Sequence, residues 1–264
     1  MKFAVYQASR IGGRNYNQDR VAYAYSNKAL LLVLADGMGG HMHGEIAAQI
    51  TIHTFMQAFA QAAHPRVPEP EEFLSEIVRR AHNAIIRYAQ DRHLGGNPGT
   101  TCVAALVQDD KVCWAHAGDS RFYLLRGNET VAVTHDHSVV QQWADWGIIS
   151  RDEMKTHPDR NRITNCLGGV ENMFYAESSP AVPLQHGDML LLCSDGLWGP
   201  VEEDDLVAGL SAAPLSVAME RLMDKAVATG GARADNTTAL AVRWGDGEAE
   251  QIAPEPVCTA LEIR

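Results

Sequence analysis

Ala29 to Ala35 reads Ala-Leu-Leu-Leu-Val-Leu-Ala, and Asp36 and Gly37 follow at once. An unbroken apolar run of this length is too short for a helix that stands alone and reads as a buried strand. The strand delivers a carboxylate onto a glycine-rich turn, Gly37-Met38-Gly39-Gly40, where glycine admits positive φ and close approach to the main chain. A single Asp-Gly after a strand is ordinarily a turn and nothing more. Here the pattern recurs. Met189 to Cys193 is a second apolar run, followed by Ser194-Asp195-Gly196. Val112 to Ala117 runs into Gly118-Asp119-Ser120, and Asp235-Asn236 comes just before the apolar stretch Thr238 to Val242. Carboxylates at strand ends far apart in sequence predict one acidic pocket assembled by a sheet.

Composition narrows the class. The chain has 264 residues, 46% of them hydrophobic, and no Pro/Ser-rich linker. One domain is expected over residues 1–245, followed by an acidic, loosely held tail at 246–264. The net charge of −11 argues against a nucleic-acid partner, which needs a basic face. No apolar stretch approaches the ~20 residues of a membrane helix, and Met1 to Gln7 turns polar too early for a secretory signal. No membrane insertion is expected. Cys102, Cys113, Cys166, Cys193 and Cys258 are odd in number and form no C-x-x-C pair. That fits a reduced, cytoplasmic protein with packed thiols.

Along the chain, Phe3–Ala8 and Val21–Tyr25 alternate as strands around a polar turn that carries Arg14 and Asp19. Apolar spacing predicts helices over Gly44–Ala62 and Glu71–Arg92, an antiparallel pair laid on a sheet. Four short strands, Thr101–Val107, Val112–Ala117, Arg121–Leu125 and Thr130–Val133, are separated by turns and predict an antiparallel meander. Ser138–Trp146 reads as a helix, and the weakly patterned residues 150–166 as a flap. Helices over Glu202–Ala212 and Leu215–Ala228 and a closing strand, Thr237–Trp244, complete the pattern. Helices grouped in sequence beside antiparallel strands argue for α+β layers, not a doubly wound sheet.

Oxygen ligands select hard divalent cations, Mg2+ or Mn2+. Asp36, Asp119, Asp195 and Asp235 supply carboxylates, and the Gly37 carbonyl adds a neutral oxygen. Clustered carboxylates raise one another's pKa unless a cation sits among them. Two such ions about 3.5–4 Å apart would bridge a water and make it hydroxide-like near neutral pH, a nucleophile suited to phosphoester hydrolysis. Arg14 is the one cation on a turn of the right kind, and its fork matches two phosphate oxygens.

Several motifs stand in a fixed order: Arg14-Asn15-Tyr16-Asn17-Gln18-Asp19, Asp36-Gly37-Met38-Gly39-Gly40-His41, Gly99-Thr100-Thr101, Gly118-Asp119-Ser120-Arg121, Thr134-His135-Asp136-His137-Ser138, Ser194-Asp195-Gly196 and Asp235-Asn236. Together they resemble the PP2C, or PPM, family of metal-dependent protein serine/threonine phosphatases, bacterial type. The resemblance runs from Tyr6 to Val242. It implies an αββα sandwich of two antiparallel sheets flanked by helices, with a metal cluster at one end of the strands. By that resemblance Asp36 bridges two ions, Gly37 binds one through its carbonyl, and Asp195 and Asp235 complete the other. Asp119, with Asp195, holds a third, weaker ion, and Arg14 binds the substrate phosphate. The resemblance also implies phosphorylated protein substrates and a cognate serine/threonine kinase. A monomer is expected.

The chain departs from the family pattern twice. Many members carry Glu-Asp where this chain has Gln18-Asp19, so one charge is missing and Asp19 is expected to act through water or from behind the ligands. Eukaryotic members place a histidine, the general acid, directly after Asp-Gly. Met38 takes that place here and His41, the candidate proton donor, comes later, an arrangement that bacterial members share.

Plainer alternatives stand beside these roles: a solvated surface residue for Arg14, a turn residue for Asp119, a strand opener for Asp235. His41 and His43 read as polar residues at a helix entry, since no other ligand stands at zinc spacing. Asp136, between His135 and His137, reads as a helix cap. Thr100 and Thr101 read as supports for the strand beside the site, and Trp143 and Trp146 as packing residues. The competing function is an inactive phosphoprotein-binding module on the same fold, against which the intact acidic positions argue. The aspartyl-phosphate route needs a D-x-D pair that Asp36-Gly37-Met38 lacks, and no P-loop is present.

Overall fold

The computed structural model describes residues 1–38, 43–169, 174–211, 214–245 and 258–262. One sheet has five strands, in the order β1 (Phe3–Arg10), β11 (Thr237–Trp244), β10 (Met189–Cys193), β6 (Arg121–Arg126) and β7 (Glu129–Val133). The other has seven. Its order is β12 (Cys258–Glu262), β2 (Arg20–Tyr25), β3 (Ala29–Ala35), β4 (Cys102–Gln108), β5 (Lys111–Ala117) and β8 (Glu177–Ser178), with β9 (Val182–Pro183) also paired to β5.

The apolar run at Ala29–Ala35 is explained by what covers β3. Leu30, Leu32 and Leu34 pack into a core shared with Phe122, Leu124, Leu190, Leu192, Leu240 and Val242 of the other sheet. Leu31, Val33 and Ala35 enter a different core, with Ala47, Ile52, Phe55, Ile77 and Ile85 of helices α1 (Gly44–Ala62) and α2 (Pro70–Asp91). Successive side chains point to opposite faces, and both faces are dry, so the strand carries no polar alternate. Each leucine so buried contributes on the order of 1.5–3 kcal/mol, which makes β3 a firm mount for Asp36. On the far side of the five-stranded sheet, Leu191 and Cys193 meet Leu206, Leu210, Met219 and Leu222 of α6 (Glu203–Ser211) and α7 (Leu215–Gly230). The layers run helix, sheet, sheet, helix, the αββα order that the motifs implied.

The expected four-strand meander does not form. β4–β5 and β6–β7 are hairpins in different sheets. The chain crosses between them at Gly118, where φ is +115° and a Cβ would lie 2.6 Å from Thr101 Cβ. Only glycine fits there, and turn spacing alone does not distinguish this bend from a third hairpin. Residues 150–166 are also less irregular than expected. They contain α4 (Arg151–Thr156), opened by a Ser150–Glu153 capping box. The preceding helix, α3 (Val139–Asp145), is capped by Ser138, which accepts from the Gln141 amide at 3.2 Å, and not by Asp136. In the tail, Cys258–Glu262 pairs in parallel along β2 where a loose segment was expected. Among the described residues no helix is long and apolar enough to cross a membrane.

Candidate active site

Strand ends supply the acidic residues. β3 stops before Asp36, β10 before Ser194-Asp195, and β5 at the Gly118 bend before Asp119. β10 and β11 are antiparallel, with Cys193 opposite Ala239, so the end of one lies beside the start of the other and Asp195 comes near Asp235. Asp36 is fixed through its backbone. Its carbonyl accepts from the Thr101 amide and the Thr100 hydroxyl, each at 2.8 Å, and its amide donates to Thr101 Oγ1 at 3.1 Å. Thr101 Oγ1 is also 2.7 Å from Ser120 Oγ, which ties the Asp36 turn to the Asp119 turn. Thr100 and Thr101 thus hold the strand end, as their sequence position suggested. Gly37 is buried against Gly44, where a Cβ would sit 2.5 Å from the Gly44 carbonyl carbon.

The five acidic residues share one field. Asp36 is held well above the usual carboxylate range by burial first, then by Asp19, Asp195, Asp119 and Asp235. Asp195 is raised in the same way by burial, Asp119, Asp235 and Asp19, with Arg14 opposing. Asp19 is fully buried. Its Oδ2 accepts from Ser194 Oγ at 3.0 Å and its Oδ1 has no partner. Burial pushes its carboxyl up to about 6, with the neighbouring polar groups of Thr238, Ser194 and Asp36 opposing that rise. Asp119 is pushed up to about 7 by burial and then by Asp136, with Arg121 among the groups that oppose.

Arg14 stands at the exposed rim. Its Nη2 donates to Asp235 Oδ2 at 2.5 Å, and the guanidinium also feels Asp195 and Asp36. Asn236 secures the loop that carries it: Oδ1 accepts from the Gln18 amide at 2.8 Å, and Nδ2 donates to the carbonyls of Ile11 and Tyr16 at 2.9 and 3.2 Å. Gly12 packs so closely on this strand entry that a Cβ would lie 2.3 Å from the Asp235 carbonyl oxygen. The structure therefore brings Arg14, Asp19, Asp36, Asp119, Asp195 and Asp235 together. His41 lies outside the described residues. His43, at the entry to α1, takes φ +74°.

All the carboxylates are oxygen donors; Arg14 faces Asp235, Asp195 and Asp36, and Arg121 acts on Asp119. The unpartnered buried oxygen of Asp19 and the mutual repulsion of its neighbours are what hard divalent cations would relieve. The residues fit such a cluster.

Sequence reasoning missed the supports of Asp119. Asp136 is not a cap; it accepts two bonds from Arg121, at 2.9 Å from Nε and 2.7 Å from Nη2. Arg121 lies 3.6 Å over the Trp198 ring, and Trp198 Nε1 donates to the Asp119 carbonyl at 2.9 Å. Trp198 closes the one-turn helix α5 (Asp195–Trp198), so one indole links the turns bearing Asp119 and Asp195. No periodicity marks these contacts in the sequence. Trp146, expected to pack, is 69% exposed.

A family model described as protein phosphatase 2C matches residues 6–236. The chain belongs to the protein phosphatase 2C family. This protein phosphatase 2C chain is 34% identical over 232 residues to the serine/threonine phosphatase Stp of Listeria innocua, covering 87% of this chain and 90% of that one. The crystal structure of the serine/threonine phosphatase Stp1 from Staphylococcus aureus matches with a TM-score of 0.83 at 29% identity, over 92% of this chain and 97% of that one. The catalytic domain of the serine/threonine phosphatase PstP, crystallised in complex with two manganese ions, matches with a TM-score of 0.76 at 30% identity, over 92% of this chain and 99% of that one.

Proposed function

We propose that the acidic pocket of this protein phosphatase 2C chain is its catalytic centre, hydrolysing phosphoserine and phosphothreonine esters in proteins. The chain is an enzyme of the serine/threonine phosphatase class. The observation that carries the assignment of the centre is the convergence of five carboxylates from distant segments on one pocket, with a buried Asp19 oxygen unpartnered. Asp36, the Gly37 carbonyl, Asp195 and Asp235 would hold two Mn2+ or Mg2+ ions, and Asp119 with Asp195 a third, weaker one. When bound, the ions supply charge neutralisation at the phosphoryl group and an acidified water.

The chain's own residues do the rest. Asp19, fixed by Ser194, backs the cluster and keeps one oxygen free for it. Arg14 is anchored by one guanidinium nitrogen on Asp235, which leaves its other N–H groups for two phosphate oxygens. That contact persists while the phosphoryl charge redistributes in the transition state. His41 is the proposed proton donor to the departing serine or threonine oxygen. Residues 150–166 form a flap that selects protein substrates. A serine/threonine kinase is the counterpart that makes them, and a cytoplasmic monomer is the proposed form. Nothing in the pocket favours the inactive binding module.

The test is phosphate release from a phosphothreonine peptide by chelator-treated protein, with and without added Mn2+. Turnover only with the ion supports the proposal. Full activity in the metal-free protein overturns it.

A further inference from the structure

Beside the acidic pocket lies a second cluster of titratable groups. His116, His137 and Glu177 each bring one ligand atom within 4.8 Å of the others, and His116 Nδ1 is buried without a partner. That spacing suits a metal ion, but the hydrogen bonds of His137 do not. Its Nδ1 accepts from the Gly118 amide at 3.2 Å and from Asn165 Nδ2 at 2.9 Å. Asn165 is not free to flip, because its Nδ2 donates to the Tyr175 carbonyl at 2.8 Å and its Oδ1 accepts from the Tyr175 amide at 3.3 Å. With two donors on Nδ1, the single ring proton sits on Nε2, which is 3.0 Å from Glu177 Oε2. A nitrogen that carries a proton has no lone pair for a metal. Burial also lowers the pKa of His137, keeping the ring neutral.

The same bonds point to a different task. His137 grips the Gly118 bend twice: the ring accepts from the Gly118 amide, and the His137 amide donates to the Gly118 carbonyl at 3.0 Å. Those two groups belong to the peptide planes on either side of the glycine whose φ of +115° turns the chain toward Asp119. The ring itself is immobilised. His116 stacks on it at 4.5 Å while donating from Nε2 to the His135 carbonyl, Tyr175 packs against it at 4.8 Å, and the Thr164 amide donates to its carbonyl at 2.8 Å. His137 is 3% exposed and Glu177 lies at the surface.

We propose that His137 is the positioning residue for Asp119: it sets the two peptide planes that aim the Asp119 carboxylate, and Glu177 holds the ring in the tautomer that can do so. The inference rests on the reading of Asp119 as the holder of an outer cation. Two substitutions separate the two ends of the ring. In His137→Asn the side-chain oxygen replaces Nδ1 and keeps the Gly118 bond. In His137→Gln the amide nitrogen replaces Nε2, so the side chain keeps Glu177 and loses the Gly118 amide, while the main-chain bond from residue 137 to the Gly118 carbonyl stays in both variants.

The measurement is kcat on a small phosphate ester across a Mn2+ titration, with melting temperature as the folding control and Asp119→Asn as the benchmark. His137→Asn should stay within about threefold of the parent. His137→Gln should need about tenfold more Mn2+ for half-activation, the equivalent of one lost hydrogen bond. It should keep its tightly bound ions and melt like His137→Asn. Glu177→Ala should shift the midpoint in the same direction by less, and it serves where His137→Gln does not fold. Equal effects of the two His137 variants, or an unmoved midpoint in His137→Gln or Glu177→Ala while Asp119→Asn shifts, overturn the proposal alone. An unmoved midpoint in Asp119→Asn overturns the reading of Asp119 and the proposal with it.

Discussion

On one side of Asp119, Asp19, Asp36, Asp195 and Asp235 crowd around a single rim arginine, and Asp19 keeps a buried oxygen without a partner. On the other side, Gly118, His137, Asn165, Tyr175 and Glu177 satisfy one another through hydrogen bonds of fixed direction, with only His116 Nδ1 left over. The first cluster is built from like charges, a repulsion that the cations proposed for it would relieve. The second is built from matched donors and acceptors and, His116 Nδ1 apart, is satisfied as it stands. One end of the sandwich thus pairs an internally repelling pocket with a hydrogen-bonded scaffold that is proposed to aim part of it. A substitution should act through chemistry in the first and through geometry in the second.

The largest contrast is expected between Asp36→Asn and Glu177→Gln. Asp36→Asn removes the shared charge of the pocket and should lower kcat by at least about a thousandfold, because a lost Lewis-acid cation is worth several kcal/mol. Glu177→Gln keeps an acceptor for His137 Nε2 and should change kcat by no more than about threefold. Similar losses in steady-state assays of the two would erase the distinction between the clusters.

Arg14→Ala comes next. Loss of one charge-assisted phosphate contact should cost on the order of 1.5–3 kcal/mol, or roughly tenfold to 150-fold in kcat/KM. The loss should appear in kcat as well as KM, since the phosphoryl charge persists in the transition state. Unchanged kcat/KM in a folded variant would return Arg14 to the status of a surface residue paired with Asp235.

The smallest expected effect is on stability without metal. Folding raises the Asp119 carboxyl to about 7 from an unfolded value of about 3.9. Between those values the folded chain binds more protons than the unfolded one, so this group's contribution falls as pH rises from about 4 to about 7. Asp119→Asn removes that loss. In chelator its melting temperature should exceed the parent's at pH 8, and the gain should shrink toward pH 4. A gain of equal size at both pH values would show that crowded charge is not the cause.

Much of the acidic side was legible in the sequence because the fold writes it locally. An apolar strand followed by Asp-Gly is a contiguous signal, and Asp36 and Asp195 stand where it places them. The layers were legible for the same reason: Ala29–Ala35 lacks alternation because both its faces are covered. The scaffold side left no such trace. His137 meets Glu177 across 40 residues and Trp198 reaches Asp119 across 79, so neither contact has a period or a spacing to read. The sheet-to-sheet bend at Gly118 was hidden by its likeness to a hairpin turn. That one misreading also concealed that Asp119 sits on a bend, whereas Asp36 is clamped by Thr100 and Thr101 at the end of a central strand.

The most direct test of the contrast is a count of tightly bound Mn2+ by calorimetric titration of metal-free protein, run on the parent, Asp36→Asn and Glu177→Gln. The parent and Glu177→Gln should each bind at least two ions tightly, and Asp36→Asn should lose them. Tight Mn2+ binding that survives in Asp36→Asn, or that disappears in Glu177→Gln, would contradict the division of this end of the molecule into a cation-dependent pocket and a self-sufficient scaffold.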